Sequence, residues 1–127
     1  SLVDIDRDGD LDLIALAAYQ YPLWLAYENN GTGSFHRVSS PVLESSTIII
    51  DPDLHFHRGF VFLDYNLDGY PDLFLLGGGL LLLKGLPNFQ FENVTDSMLS
   101  STYFGRNFSS GVVIDFDNDG DFDVYFS

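Results

Sequence analysis

The sequence contains no cysteine. It therefore has no disulfide framework and no thiolate for catalysis or soft-metal binding. Basic residues are nearly as scarce. Five lysines and arginines stand against nineteen aspartates and glutamates, giving a formal charge of −14 over 127 residues. Such a chain repels phosphate backbones and anionic headgroups, which disfavours nucleic acid and negatively charged membranes as partners, and neither is expected. Long apolar runs are missing too. The longest, Leu73 to Leu83, is interrupted by Gly77-Gly78-Gly79 and falls well short of the ~20 residues a spanning helix needs, so no membrane insertion is expected. Neither an initiator methionine nor a signal peptide opens the chain, and Ser1-Leu2-Val3 reads as the tail of a strand already under way.

What is present is apolar and aromatic. Hydrophobic residues make up 46% and aromatics 16%, enough for a core and too many for disorder. The length is one domain's worth at most. Thirteen of the nineteen acids lie in three short stretches. These are Asp4-Ile-Asp6-Arg-Asp8-Gly9-Asp10-Leu-Asp12, Asp64-Tyr-Asn66-Leu-Asp68-Gly69-Tyr70-Pro-Asp72 and Asp115-Phe-Asp117-Asn-Asp119-Gly120-Asp121-Phe-Asp123. All three read D-x-[DN]-x-D-G-x-x-D, with an apolar β-type run on either side. The acidity is local.

Carboxylates at every second position repel one another unless a cation sits among them. A hard cation such as calcium takes six to eight oxygens at roughly 2.3–2.6 Å, which one short loop can supply. Positions 1, 3 and 5 would offer side-chain oxygens, and the glycine at position 6 permits a sharp bend. Position 7 would offer its backbone carbonyl, since its side chain varies (Asp10, Tyr70, Asp121), and position 9 would close the sphere with a carboxylate. One such stretch leaves a solvated acidic turn as the lesser alternative; three, each bracketed by strands, point to metal. An EF-hand is excluded because its position-12 glutamate is replaced by Ala15, Leu75 and Phe126. The flanks, such as Gly111-Val-Val-Ile114, are β-formers rather than helix-formers.

The stretches begin at 4, 64 and 115, a spacing that suggests a propeller or solenoid repeat. The run Leu11–Ala18, then Leu23–Tyr27, and after the hairpin signal Asn29–Gly33 the more polar Ser34–Val38 are predicted strands. The connection 39–57 is expected to carry a short strand at Thr47–Ile50. The second repeat restates the plan: Gly59–Asp64, Asp72–Leu76, a turn at Gly77–Gly79, Leu80–Leu83, a turn over Gly85–Asn88, and Phe89–Val94. The predicted fold is all-β: antiparallel four-stranded β-propeller blades, two repeat lengths with incomplete blades at both ends. The expected division is a single segment 1–127, with repeats 1–57 and 58–107 and a partial repeat 108–127. Inner strands lacking polar alternation suit a sheet covered on both faces, whereas Phe35–Val38 and Phe89–Val94 suit an outer rim.

The three loops, the entry strands Gly59-Phe-Val-Phe-Leu and Gly111-Val-Val-Ile, the hairpin Asn30-Gly-Thr-Gly-Ser-Phe35 and the edge Phe91-Glu-Asn-Val-Thr95 together resemble the FG-GAP/VCBS repeat family. That family includes the calcium-binding blades of integrin α-subunit propellers. The resemblance covers most of the chain outside roughly 40–56. It implies a loop joining the first two strands of each blade and up to three calcium ions. Carried over position by position, the candidate ligands are Asp4, Asp6, Asp8, Asp10 and Asp12; Asp64, Asn66, Asp68, Tyr70 and Asp72; and Asp115, Asp117, Asp119, Asp121 and Asp123. Asn66 in place of an acid, with Pro71 at position 8, predicts that the second site is the weakest. Calcium loops of modest affinity fill where calcium is plentiful, so the expected setting is extracellular or cell-surface, or periplasmic in a bacterium.

Three N-x-[ST] sequons, at Asn30, Asn93 and Asn107, are candidate glycosylation sites; the alternative is that they serve turn chemistry of the repeat. His55 and His57 beside Asp51 and Asp53 offer a transition-metal pair or ordinary packing. Trp24, Tyr19, Tyr21 and Tyr27 offer a sugar-stacking surface or core. No nucleophile elbow or thiol is present, and carboxylates committed to a cation cannot serve as a glycosidase pair, so no enzyme activity is expected. The reading is a calcium-binding propeller segment of a secreted or cell-surface protein, with a structural, adhesion or assembly role. Its partners would be remaining blades, other copies of itself, or an extracellular protein or glycan. The alternatives are the propeller domain of a carbohydrate-active lyase or lectin, and the protomer of an extracellular filament.

Overall fold

The structure is a computed structural model, and it describes residues 1–16, 24–45, 59–76, 80–99 and 110–127. Strands β1 (Leu2–Val3), β2 (Asp12–Leu16), β3 (Trp24–Asn29) and β4 (Phe35–Val38) form a first sheet, antiparallel throughout, in chain order. Strands β5 (Gly59–Leu63), β6 (Asp72–Leu76), β7 (Leu80–Leu86) and β8 (Gln90–Asn93) repeat that order in a second sheet. A third, two-stranded sheet pairs β9 (Gly111–Ile114) with β10 (Asp123–Phe126). Each acidic stretch is the turn between the first two strands of its sheet. The described residues form no closed ring.

Side chains at successive strand positions point to opposite faces, and the registers sort them. In the first sheet Ile14, Ala26 and Val38 share one face with Trp24; Leu2, Leu13, Tyr27 and Arg37 share the other with Ala15 and Leu25. In the second sheet one face carries Phe60, Phe62, Leu73, Leu75, Leu81, Leu83 and Phe91, the other Val61, Leu63, Phe74, Leu76, Leu80 and Leu82. The Trp24 face of the first sheet packs on the Phe60 face of the second, and Trp24 meets Phe60 edge-on at 5.1 Å. The Phe74 face of the second packs on Val113, Val124 and Phe126 of the third. The middle sheet is covered on both sides. All five residues of β6 are buried, and each buried leucine there contributes about 1.5–3 kcal/mol. Hence β6 and β7 lack polar alternation.

The structure corrects several sequence expectations. β7 runs through Lys84, Gly85 and Leu86, which pair with Glu92, Phe91 and Gln90, so the turn lies at 87–89 rather than 85–88 and Phe89 belongs to it. Asn88 and Phe89 both take positive φ, at 60° and 59°, and the turn needs that left-handed pair before the chain can reverse. Leu11 is half-exposed in the turn and not part of β2. The short helix α1 (Thr95–Met98) was not anticipated. Thr95 is buried there, its hydroxyl accepting the Leu82 N–H at 3.0 Å. The expected strand at Thr47–Ile50, the turn at Gly77–Gly79, the His55/His57 pair, Tyr19 and Tyr21 lie outside the described residues. Trp24 is buried in the core rather than displayed for a sugar.

Candidate metal centres

The three turns share one backbone. The position-6 glycines Gly9, Gly69 and Gly120 sit at φ 96°, 91° and 98°, a conformation that side chains resist and glycine adopts freely. Two residues earlier the chain is also left-handed, at Arg7 (69°), Leu67 (56°) and Asn118 (60°). A non-glycine residue there costs on the order of 1 kcal/mol. The alternating carboxylates gave no hint of this second bend. Together the bends curl positions 1 to 6 into a loop.

Hydrogen bonds repeat with the same regularity. The position-1 carboxylate accepts the glycine N–H in each turn: Asp4 from Gly9 at 3.2 Å, Asp64 from Gly69 at 2.7 Å, Asp115 from Gly120 at 3.1 Å. The position-5 carboxylate accepts the position-7 N–H: Asp8 from Asp10 at 2.9 Å, Asp68 from Tyr70 at 3.0 Å, Asp119 from Asp121 at 3.2 Å. These bonds leave part of each carboxylate's acceptor capacity unspent.

In the first turn Asp4, Asp6 and Asp8 bring one carboxylate oxygen each to within 4.8 Å of the others. In the third turn Asp115, Asp117 and Asp123 do the same. Asp4 Oδ1 is buried and has no hydrogen-bond partner, an expensive state for a charged oxygen. Burial, then the neighbouring Asp12 and Asp8 charges, push the Asp6 carboxyl above its ordinary pKa. The charge on Asp119 does the same to Asp121. All-oxygen, anionic donors converging on one point fit a hard divalent cation such as calcium. The side chains of Asp10, Asp12, Asp119 and Asp121 lie outside both triplets.

The second turn differs. Asn66 stands at position 3, and the Lys84 ammonium pairs with Asp68 at 3.2 Å. The Tyr70 N–H and then Lys84 hold the Asp68 carboxyl below its usual range. A lysine here competes with a cation for the position-5 oxygen.

Position 9 has a role the sequence did not disclose. Asp12 and Asp72 are fully buried, and each joins three pieces of chain. Asp12 accepts the Ile5 N–H in its own turn and the Asn29 N–H at the end of β3, both at 2.9 Å. Asp72 accepts the Tyr65 N–H at 2.9 Å and the Gly85 N–H in β7 at 2.7 Å. Asp123 accepts the Phe116 N–H at 2.9 Å; among the described residues its sheet has no third strand, and it is exposed. Burial raises the Asp12 carboxyl and takes Asp72 to about 6, although the two N–H donors of each act the other way.

The first two turns also touch. The Arg7 guanidinium lies over the Tyr70 ring at 5.1 Å and crowds Gly69 closely enough that a side chain there would displace it.

Both described sequons serve local turns. Asn30 Oδ1 accepts the Thr32 N–H at 3.0 Å and its hydroxyl at 2.6 Å; Asn93 Oδ1 accepts the Thr95 N–H at 3.1 Å. Asn30 and Asn93 are both exposed, and Asn107 lies outside the described residues.

Family comparison follows the same repeat. The model of the FG-GAP-like repeat matches twice, over residues 4–75 and 64–126, each match running from one acidic turn past the next or to the end of β10. No curated protein and no solved structure matches the chain. With matches spanning nearly its whole length, the chain belongs to the FG-GAP-like repeat family.

Proposed function

We propose that this chain is a calcium-binding segment of a β-propeller, with each sheet a blade, serving a structural, adhesion or assembly role in an extracellular or cell-surface protein. The observation that carries the reading is the convergence of Asp4, Asp6 and Asp8 (positions 1, 3 and 5), where Asp4 also has a buried, unpartnered Oδ1, beside a second convergence of Asp115, Asp117 and Asp123 (positions 1, 3 and 9). Asp12, Asp10 through its carbonyl, Asp119 and the Asp121 carbonyl complete the two donor sets. Asp64, Asn66, Asp68, Asp72 and the Tyr70 carbonyl supply a third, weaker one, because Asn66 carries no charge and Lys84 already engages Asp68. A bound cation would cancel the repulsion within each turn and tie the first two strands of each blade together. Blade stacking is supported by the middle sheet, which is apolar on both faces and covered on both by its neighbours. The repeat is typical of extracellular proteins, and no described helix is long and apolar enough to cross a membrane.

Thermal unfolding in calcium and in chelator tests this. At calcium tenfold above a Kd of about 1 mM, each site contributes about 1.4 kcal/mol. Two occupied sites would therefore raise the melting temperature by about 10 °C, and magnesium would do less. Identical melting curves in calcium and chelator would refute it.

A further inference from the structure

The second turn satisfies its own oxygens where the first does not. Asp64 accepts the Asp68 and Gly69 N–H groups, at 3.0 and 2.7 Å, one on each oxygen. Asn66 Oδ1 also accepts from Asp68, at 3.0 Å. Asp68 takes the Tyr70 N–H on Oδ1 and the Lys84 ammonium on Oδ2, at 3.0 and 3.2 Å. Both Asp72 oxygens are engaged, by Tyr65 and Gly85. In the first turn the buried Asp4 Oδ1 has no partner.

The registers show what stands in the lysine's place in the first sheet. Leu13 pairs with Tyr27 as Leu73 pairs with Leu83. Asp12 holds the Asn29 N–H as Asp72 holds that of Gly85. Glu28 is therefore the equivalent of Lys84. Its charge bears on Asp6, behind burial, Asp12 and Asp8. Two differences between the turns thus go together: Asn66 replaces an acid at position 3, and a lysine replaces an acid on the third strand. The Lys84 and Asp68 side chains are 31% and 32% exposed, so solvent and salt screen the pair less than one on an open surface. Arg7, too, lies over Tyr70 of the second turn.

We infer that Lys84 is the resident counter-cation of the second turn, holding it closed without metal and yielding the Asp68 oxygen only to calcium at high concentration. This rests on the calcium reading of the turns and adds that the second keeps its shape when calcium is withdrawn. The strand clasp positions the lysine, since Asp72 fixes the N–H of its neighbour Gly85.

Calcium titration and hydrogen exchange read by mass spectrometry, on wild type and Lys84→Gln, test this. In chelator, exchange over 64–72 is expected to quicken several-fold in Lys84→Gln. In calcium, Lys84→Gln is expected to hold the weak third ion about tenfold more tightly, because a doubly charged ion no longer meets an ammonium. A lysine that only propped the fold would lower calcium affinity on removal, not raise it. Identical exchange over 64–72 in both chains, or a third ion held no more tightly, would overturn the proposal. If neither chain binds calcium at all, the calcium reading fails, and exchange in chelator, which involves no metal, alone decides the role of Lys84. Should Lys84→Gln not fold, the reciprocal chain decides. Glu28→Lys with His36→Glu copies Lys84 and its cross-strand neighbour Glu92 into the first sheet. It is expected to slow exchange over 4–12 in chelator and to weaken the first calcium site about tenfold; no change in either would overturn the proposal.

Discussion

Replacing Asp72 by alanine should destabilise the fold more than replacing its equivalent in the third turn, Asp123. Asp72 is fully buried and accepts two backbone N–H groups, from Tyr65 at 2.9 Å and from Gly85 at 2.7 Å. Hydrogen bonds to a charged acceptor contribute about 1.5–3 kcal/mol each. Against this stands the burial of the charge itself, which raises the carboxyl to about 6 and offsets part of the gain. The net loss for Asp72→Ala is about 2–4 kcal/mol, because the Gly85 N–H is left inside the core without an acceptor. Asp123→Ala removes one exposed bond and should cost under about 1 kcal/mol. For a chain of this length the first corresponds to a fall in melting temperature of about 8–15 °C and the second to a few degrees. Differential scanning calorimetry in chelator, where no cation contributes, reads the two directly. Equal shifts would refute the idea that position 9 joins three strands where a third strand exists.

Three further outcomes are expected. In chelator, stability should rise as pH falls from 7 towards 5: with the Asp72 carboxyl near 6 against 3.8 as its ordinary value, the folded chain binds more protons in that window, and Asp6 and Asp12 shift in the same direction. In calcium the trend should reverse, since protons displace the cation; urea midpoints at each pH check both. Gly85→Ala should cost about 2 kcal/mol or more, because its new Cβ would collide with the Pro71 carbonyl, which is backbone and cannot step aside; a melting curve matching wild type would contradict it. Arg7→Ala should cost about 0.5–1 kcal/mol through loss of its contact with Tyr70, measurable as a small shift that Tyr70→Leu reproduces and that does not add to it.

The fold was legible where pattern and chemistry agreed. The turns could be placed because alternating aspartates ending in Asp-Gly have few physical explanations, and the strands around them because β-branched and aromatic runs cannot sit in helices of that length. Strand ends were harder to read. Gly85 looked like a turn residue, yet it lies within β7 because only a residue without Cβ clears Pro71. Sequence alone does not show which backbone will approach. The position-9 aspartates were legible as carboxylates but not as strand clasps, since the N–H groups of Asn29 and Gly85 lie 17 and 13 residues away. Arg7 carried no signal at all, because its partner Tyr70 belongs to a different repeat. In each case the missing information was a contact across the chain, and local pattern is blind to those.

Isothermal titration of calcium into chelator-stripped, dialysed chain tests the central claim most directly, namely that the acidic turns hold cations. The expected result is saturable binding of two ions per chain at the Asp4–Asp6–Asp8 and Asp115–Asp117–Asp123 turns, with a weaker third. Asp8→Ala and Asp119→Ala should each remove one of the two stronger ions. An absence of saturable binding at millimolar calcium, or a stoichiometry unchanged by both substitutions, would contradict it.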